Sequence, residues 1–369
     1  MPAEPTPALL DADVTVARRS FDVKAVVSLA AGERLALFGT SGAGKTTLVE
    51  AIAGTTPITS GEVRLDRKIV NAPVSSWRAR GRGQGRARGR PHARDVPPEA
   101  GPRHPLAVPF RFRGVAAVRQ PTTLFPHLSI VENVGYGLRH PSAYGDGSVE
   151  DLLDDVGLGG LGQALPQALS GGQRQRAALA RALARPFKAL LLDEPFSAVD
   201  VTSRSALRQL AIDAARERGA VSVLVTHDLA EAQAFGDRIG VMDTGRILQI
   251  GDAGDIARAP ANRRVAELFG YTAFAEHDEG NLRAFHPDRF VVGTHPERGI
   301  VLDGVVTAVR ALGTRFACEV QGSDTSGLVL RGLFQVNVDC PPAVGSHWEV
   351  TALQPPLVAR VAVAGDEEG

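Results

Sequence analysis

The strongest periodic signal lies between residues 26 and 54. Residues 26–38 form a strand pattern, break at a Gly-Glu turn, and resume as the apolar run Leu35-Ala36-Leu37-Phe38. That run enters a glycine-rich loop, and from Thr46 onward apolar residues recur at helical spacing as far as Gly54. Gly61–Leu65 and Lys68–Val70 predict the two short strands of a hairpin. Val115–Arg119 predicts another strand, and residues 129–184 are mostly of helical period. Ala189–Leu192 and Ser222–Thr226 read as short buried strands, with helical segments between and after them. Strands alternating with helices in this order predict a parallel sheet covered on both faces. The pattern changes after Gly270. Gly304–Val309, Phe316–Val320, Leu328–Leu330 and Trp348–Ala352 are alternating, β-branched runs broken by Gly and Pro, which predicts a small all-β domain of barrel type. The predicted division is 1–270 for the first domain, with a helical subdomain at about 121–184, then a linker at 271–282 and the β domain at 283–369. No internal repeat is visible.

At 369 residues, a two-domain chain is the expected case. Hydrophobic content of 44% with 5% aromatics suits an α/β protein rich in Ala, Leu and Val. The 41 Lys and Arg balance the 41 Asp and Glu, so net charge nominates no partner. Cys318 and Cys340 form no CxxC pair, which points to a reducing compartment. No window approaches 18 consecutive apolar residues, and MPAEPTPALLDADV lacks a basic stretch followed by an apolar core. Neither a spanning segment nor a signal peptide is expected, so a role at a membrane requires a partner.

Gly39-Thr40-Ser41-Gly42-Ala43-Gly44-Lys45-Thr46, followed by Thr47, fits the phosphate-binding pattern GxxxxGK[ST] between a strand and a helix. The glycines let successive backbone N–H groups close on phosphate oxygens, and the helix beginning near Lys45 adds its positive end. Lys45 is expected to meet the β- and γ-phosphates of ATP, and the Thr46 hydroxyl to ligate Mg²⁺. The apolar run Leu190-Leu191-Leu192 ends in Asp193-Glu194 and sets two carboxylates at the same sheet edge. Asp193 is expected to hold Mg²⁺, and Glu194 to orient and deprotonate the attacking water. Two acids after apolar residues are by themselves an ordinary helix start, and gain meaning only beside the phosphate loop.

Leu169-Ser170-Gly171-Gly172-Gln173 is a segment that phosphate-loop chemistry does not require in general, and with it the chain resembles the ABC ATPase family. The resemblance implies an α/β P-loop fold and a homodimer in which this segment caps the γ-phosphate held by the partner. Ser170 as a simple helix N-cap is compatible with that role. The resemblance extends to Gln120, which matches the glutamine that touches Mg²⁺ and water, to His227 in Val-Thr-His-Asp, which matches the γ-phosphate histidine, and to Asp200, which matches an aspartate communicating across the dimer. The family's adenine-stacking aromatic has no counterpart in Thr15-Val16-Ala17-Arg18-Arg19, where Arg18 or Arg19 could stack instead.

Leu124–Ser129 with Val131–Val134 resembles the permease-facing segment of importer subunits, and Gly304–Gly313 resembles part of the TOBE-type (OB-like) domain that such subunits carry. The family reading is therefore an ATP-hydrolysing importer subunit on the cytoplasmic membrane face, partnered by an integral-membrane permease and, indirectly, by an extracytoplasmic solute-binding protein. Its short N-terminal strand and LFGTSGAGKTTLVEAIAG look most like molybdate or oxyanion systems, with iron(III), polyamine and sulfate importers as alternatives. A soluble ABC ATPase acting on nucleic acid or the ribosome is the rival, but one cassette without heptads argues against nucleic acid. A third reading makes the β domain a small-anion sensor regulating the ATPase. At about 78–112 the chain is rich in Arg, Gly and Pro, with eight arginines from Arg78 to Arg103 against Asp95 and Glu99. Such a stretch buries no core and is expected to stay flexible. It is either a tolerated surface expansion or a contact for phosphates of lipid or RNA.

Overall fold

The computed structural model describes residues 8–73, 113–136, 138, 149–276 and most of 281–359. The arginine-rich stretch at 78–112 lies outside the described residues. The chain divides into two compact units, Met1–Ile247 and Leu248–Gly369.

In the first unit β1 (Ala8–Val16), β2 (Val23–Ala30) and β3 (Arg34–Phe38) lead into α1 (Lys45–Ile52), followed by β4 (Ser60–Leu65), β5 (Lys68–Asn71) and β6 (Val115–Val118). Then come α2 (Ile130–Gly135), α3 (Val149–Asp155), α4 (Gly171–Leu183), β7 (Ala189–Asp193), α5 (Val201–Glu217), β8 (Val221–Thr226), α6 (Leu229–Phe235), β9 (Arg238–Asp243) and β10 (Arg246–Gly251), within which the unit boundary falls. The sheet order is β5-β4-β1-β2-β10-β9-β3-β8-β7-β6. From β9 to β6 the pairings are parallel. From β5 to β2 they are antiparallel.

The sheet is thus mixed, where a parallel one was predicted. The reason lies in the connections. β1–β2 and β4–β5 are joined by links too short for a crossover, and only antiparallel neighbours can be joined so. At the β4–β5 turn, Asp66 and Arg67 take φ of 50° and 62°, the conformation that matches hairpin twist. Burial follows pairing. Residues of β2 alternate between buried and exposed, whereas every residue of β7 and β8 is buried beneath helices on both faces.

The predicted helical region holds α2, α3 and α4. Ser129 and Glu132 cap α2 reciprocally, with bonds of 3.3 Å and 2.7 Å. Ile130, Leu152, Leu179 and Leu183 of these helices share one core with Leu190 and Leu192 of β7. Helix packing thereby reaches the strand that carries the carboxylates.

The second unit contains α7 (Ala253–Arg258), α8 (Arg263–Leu268) and antiparallel strands. β11 (Ala273–Glu276), β12 (Asn281–Phe285) and β18 (Leu357–Ala359) form one sheet, in the order β11-β12-β18. A five-stranded sheet is ordered β13-β17-β14-β15-β16, from β13 (Phe290–Val292), β14 (Gly299–Leu312), β15 (Arg315–Ser323), β16 (Val329–Val336) and β17 (His347–Leu353). Its edge strands β13 and β16 approach each other, the curl that a barrel requires. The unit boundary falls earlier than the predicted linker, because α7 and α8 belong to this unit. Tyr271 donates its hydroxyl to the carbonyl of Ala257, and the Arg263 guanidinium lies 4.7 Å from the Phe274 ring centroid. Among the described residues no helix is long and apolar enough to cross a membrane.

Candidate nucleotide site

The site assembles where the parallel strands end. Phe38 is level with Thr226, Asp193 with Val225, and Val118 with Leu192. The loop after β3, the acids after β7, His227 after β8 and Gln120 after β6 therefore emerge side by side, the edge at which open α/β sheets bind ligands.

The phosphate loop, 39–44, is held from behind by the turn between β9 and β10. The amide of Gly245 donates to the carbonyl of Ala43 at 2.9 Å, and the Thr40 hydroxyl reaches Asp243 at 3.4 Å. Two glycines are sterically required. A Cβ on Gly39 would sit 2.0 Å from the Met242 carbonyl oxygen, and Gly44 adopts φ of 101° with Val23 Cγ2 2.9 Å from where a Cβ would be. Ser41 and Gly42 complete the loop. Lys45, only 4% exposed, donates from Nζ to the carbonyls of Gly39 and Thr40, both at 2.8 Å. Burial pulls its pKa down, against the attraction of the Glu194 and Asp193 carboxylates.

Thr46 donates its hydroxyl to Asp193 Oδ1 at 3.1 Å, so the two expected metal ligands are already adjacent. Burial raises the pKa of the Asp193 carboxyl, and the Thr46 hydrogen bond and Lys45 only partly offset it. A buried carboxylate with incomplete compensation favours a cation, and a hydroxyl–carboxylate oxygen pair suits Mg²⁺, which takes one or two protein ligands and completes its shell with phosphates and water. Among the described residues no group of three or more His, Cys, Asp or Glu could hold a metal by itself.

Glu194 and His227 meet directly, Oε1 to Nδ1 at 3.0 Å. Glu194 adopts φ of 45°, a left-handed conformation that costs a non-glycine residue energy and is held by its surroundings. A cleft of about 100 Å³ adjoins this pair, lined by Glu194, Phe196, Ser197, Arg204, His227 and Glu231 among others. Gln120 is exposed just beyond Arg119, whose guanidinium binds Glu50 of α1 at 2.6 Å. Glu50 also pairs with Arg18 at 3.7 Å, and Arg18 donates to the Thr47 hydroxyl at 3.1 Å. Arg18, one of the two arginines considered for the adenine, is thus bonded to the phosphate-binding helix.

Ser170 and Gln173 stand apart from this constellation in sequence and form a capping box on α4, with bonds of 2.8 Å and 3.2 Å. Gly171 and Gly172 lie in the first turn, and a Cβ on Gly172 would be 2.7 Å from the carbonyl oxygen of Ala198. Asp200 caps α5, accepting from Thr202 Oγ1 at 2.6 Å and from the Ser203 amide at 2.9 Å. These bonds pull its pKa from the ordinary 3.8 down to about 2. A depressed carboxylate pKa contributes stability that is complete above the unfolded value and disappears as pH falls through the folded one. Thermal unfolding of wild type and Asp200→Asn should therefore show a difference at pH 5 that shrinks between about pH 4 and pH 2. A pH-independent difference would separate Asp200's charge from its capping role.

Sequence reasoning missed Gln175. It is 5% exposed, on the same face of α4 as Ala178, Leu179 and Ala182. A polar residue in an apolar phase is the signal that marks it.

The family model described as ABC transporter matches residues 24–197. A sulfate/thiosulfate import ATP-binding protein of Synechocystis sp. is 35% identical over 81% of this chain and 79% of its own length. The chain therefore belongs to the ABC transporter family of ATP-binding proteins. Further relatives are a spermidine/putrescine import ATP-binding protein of Roseobacter denitrificans (38% identical, 68% of this chain) and an Fe(3+) ions import ATP-binding protein of Serratia marcescens (36%, 67% of this chain). The chain spans only 60% and 63% of the length of these two. Among solved structures, a dimeric ATP-binding cassette in a post-hydrolysis state with ADP and phosphate matches 66% of this chain and 98% of its own. Its TM-score is 0.50 and its identity 26%.

Proposed function

We propose that this chain hydrolyses ATP as the energising subunit of a solute importer. The observation that carries the reading is the convergence of Lys45, Thr46, Asp193, Glu194 and His227 on one sheet edge, with Glu194 and His227 in contact at 3.0 Å. Lys45 and the amides of 39–44 bind the phosphates, and Arg18 flanks the nucleotide in place of an aromatic ring. Mg²⁺, held by Thr46 and Asp193 with Gln120 near it, would neutralise charge developing on the transferred phosphoryl group. Glu194 accepts the proton of the attacking water, and His227 orients Glu194 and the γ-phosphate. In a homodimer the Ser170–Gln173 turn offers a hydroxyl, amides and a helix N-terminus to the partner's nucleotide, and Asp200 lies at the same face.

The permease partner is supported by the segment after Gln120. Asn133 is fully buried, with its side chain bonded to both the amide and the carbonyl of Phe125, at 2.8 Å and 3.1 Å. Arg181 lies 5.5 Å from the centroid of the Phe125 ring. These contacts tie the loop to α2 and α4. The second unit acts as a TOBE-like domain, and a binding protein outside the membrane delivers the solute. Molybdate or a related oxyanion is the proposed cargo, and iron(III), polyamine and sulfate, which the relatives' names carry, are the alternatives. Uptake of labelled molybdate, sulfate, iron(III) and spermidine by cells with and without this chain tests the proposal. Loss of oxyanion uptake alone is expected. Unchanged uptake of all four, with RNA rather than a membrane protein co-purifying, would replace import with the nucleic-acid reading.

A further inference from the structure

We propose that Gln175 is a positioning residue for Glu194, tying that residue to the helix whose first turn faces the partner's nucleotide. The inference rests on Glu194 being the base. Burying an amide on an apolar face costs free energy unless its hydrogen bonds are made. Gln175 makes them all to one turn. Its Nε2 donates to the carbonyl of Glu194 and to Ser197 Oγ, both at 3.0 Å, and its Oε1 accepts from the amide of Ala198 at 2.8 Å. An apolar residue would fill the same space without reaching the turn.

The turn needs such a restraint. Glu194 has φ of 45°, and a left-handed non-glycine residue persists only where its neighbours hold it. Its amide is fixed by the carbonyl of Val225 on β8 at 3.1 Å. Its carbonyl is fixed by Gln175, and by Ser197 Oγ at 3.1 Å. With both ends of the residue held, the carboxylate is aimed at His227. Gly172 adds the second tie, because the closeness of Ala198 leaves no room for a Cβ there. The start of α4 is therefore bonded to and packed against the turn 194–198. Engagement of Ser170–Gln173 with the partner's nucleotide reaches the chain's own base through Gln175, and so links the two sites of the dimer.

The test is steady-state ATP hydrolysis by the full chain, with Gln175→Met, Gln175→Glu and Ser197→Ala compared with wild type. A displacement of about 1 Å at a reacting group costs up to roughly a hundredfold in rate. Gln175→Met is expected to lower kcat at least about tenfold on that scale, while KM and ATP-driven dimerisation in a Glu194→Gln background stay at wild-type values. Gln175→Glu keeps the bond from Ala198 but sets a carboxylate oxygen against the Glu194 carbonyl, and should lose kcat at least as far as Gln175→Met. Ser197→Ala removes a partner from the exposed side, which protects the measurement if Gln175→Met fails to fold. Its smaller loss should vanish in the Gln175→Met background. An unchanged kcat in both single variants, or a kcat loss accompanied by raised KM and lost dimerisation, overturns the proposal. Near-normal hydrolysis by Glu194→Gln alone would instead remove the base on which it rests.

Discussion

Glu194→Gln is expected to lower kcat for ATP hydrolysis by about a hundredfold or more, the scale on which a positioned general base contributes. The substitution keeps shape and hydrogen bonding but removes the group that accepts a proton. Backbone restraint by Val225 and Gln175 is unaffected, because it acts on the amide and carbonyl. Lys45, Thr46 and Asp193 also remain, so ATP binding should be retained and the ATP-bound dimer should accumulate. Single-turnover hydrolysis and equilibrium ATP binding on the same preparation measure the two effects separately. Hydrolysis close to wild type would remove Glu194 from the base role.

Lys45→Met is expected to damage binding as well as turnover. Lys45 is a buried cation near two carboxylates, and its loss leaves Asp193 and Glu194 without their compensating charge. A hydrogen bond to a charged group contributes about 1.5–3 kcal/mol, which is roughly ten- to a hundredfold in affinity. ATP affinity should fall by that factor and kcat with it, whereas Glu194→Gln should change kcat alone. Lys45→Met should also push the Asp193 carboxyl further up, since the attraction of Lys45 is one of the effects holding it down. Unaltered ATP affinity would show that the loop amides alone hold the phosphates.

The local chemistry of the site was legible in the chain because each part is a short segment with its own conformational rule. The loop 39–44 needs glycine where Met242 and Val23 leave no room for a side chain, and glycine is visible as a letter. The run Leu190–Leu192 is apolar because β7 is buried throughout, and the buried Asp193 that closes the strand is polar because it meets Thr46 at the sheet edge. The β9–β10 hairpin that braces the loop was not read, because its place in the sheet depends on the outer partners of its strands, β3 and β2, which lie far away in sequence. Of the antiparallel half of the sheet only the β4–β5 hairpin was legible, because the direction of the other pairings is set by which strands meet.

The sequence by itself determined the class of chemistry, a phosphate loop, two acids and a signature segment, because these depend on residue type at fixed spacing. Only the tertiary structure decided how they act together. It set Thr46 against Asp193, brought Glu194 to His227, and gave Asp200 a capping role and Gln175 the carbonyl of Glu194. Those pairs join residues from different elements, and the packing that unites them is a property of the whole fold rather than of any one segment.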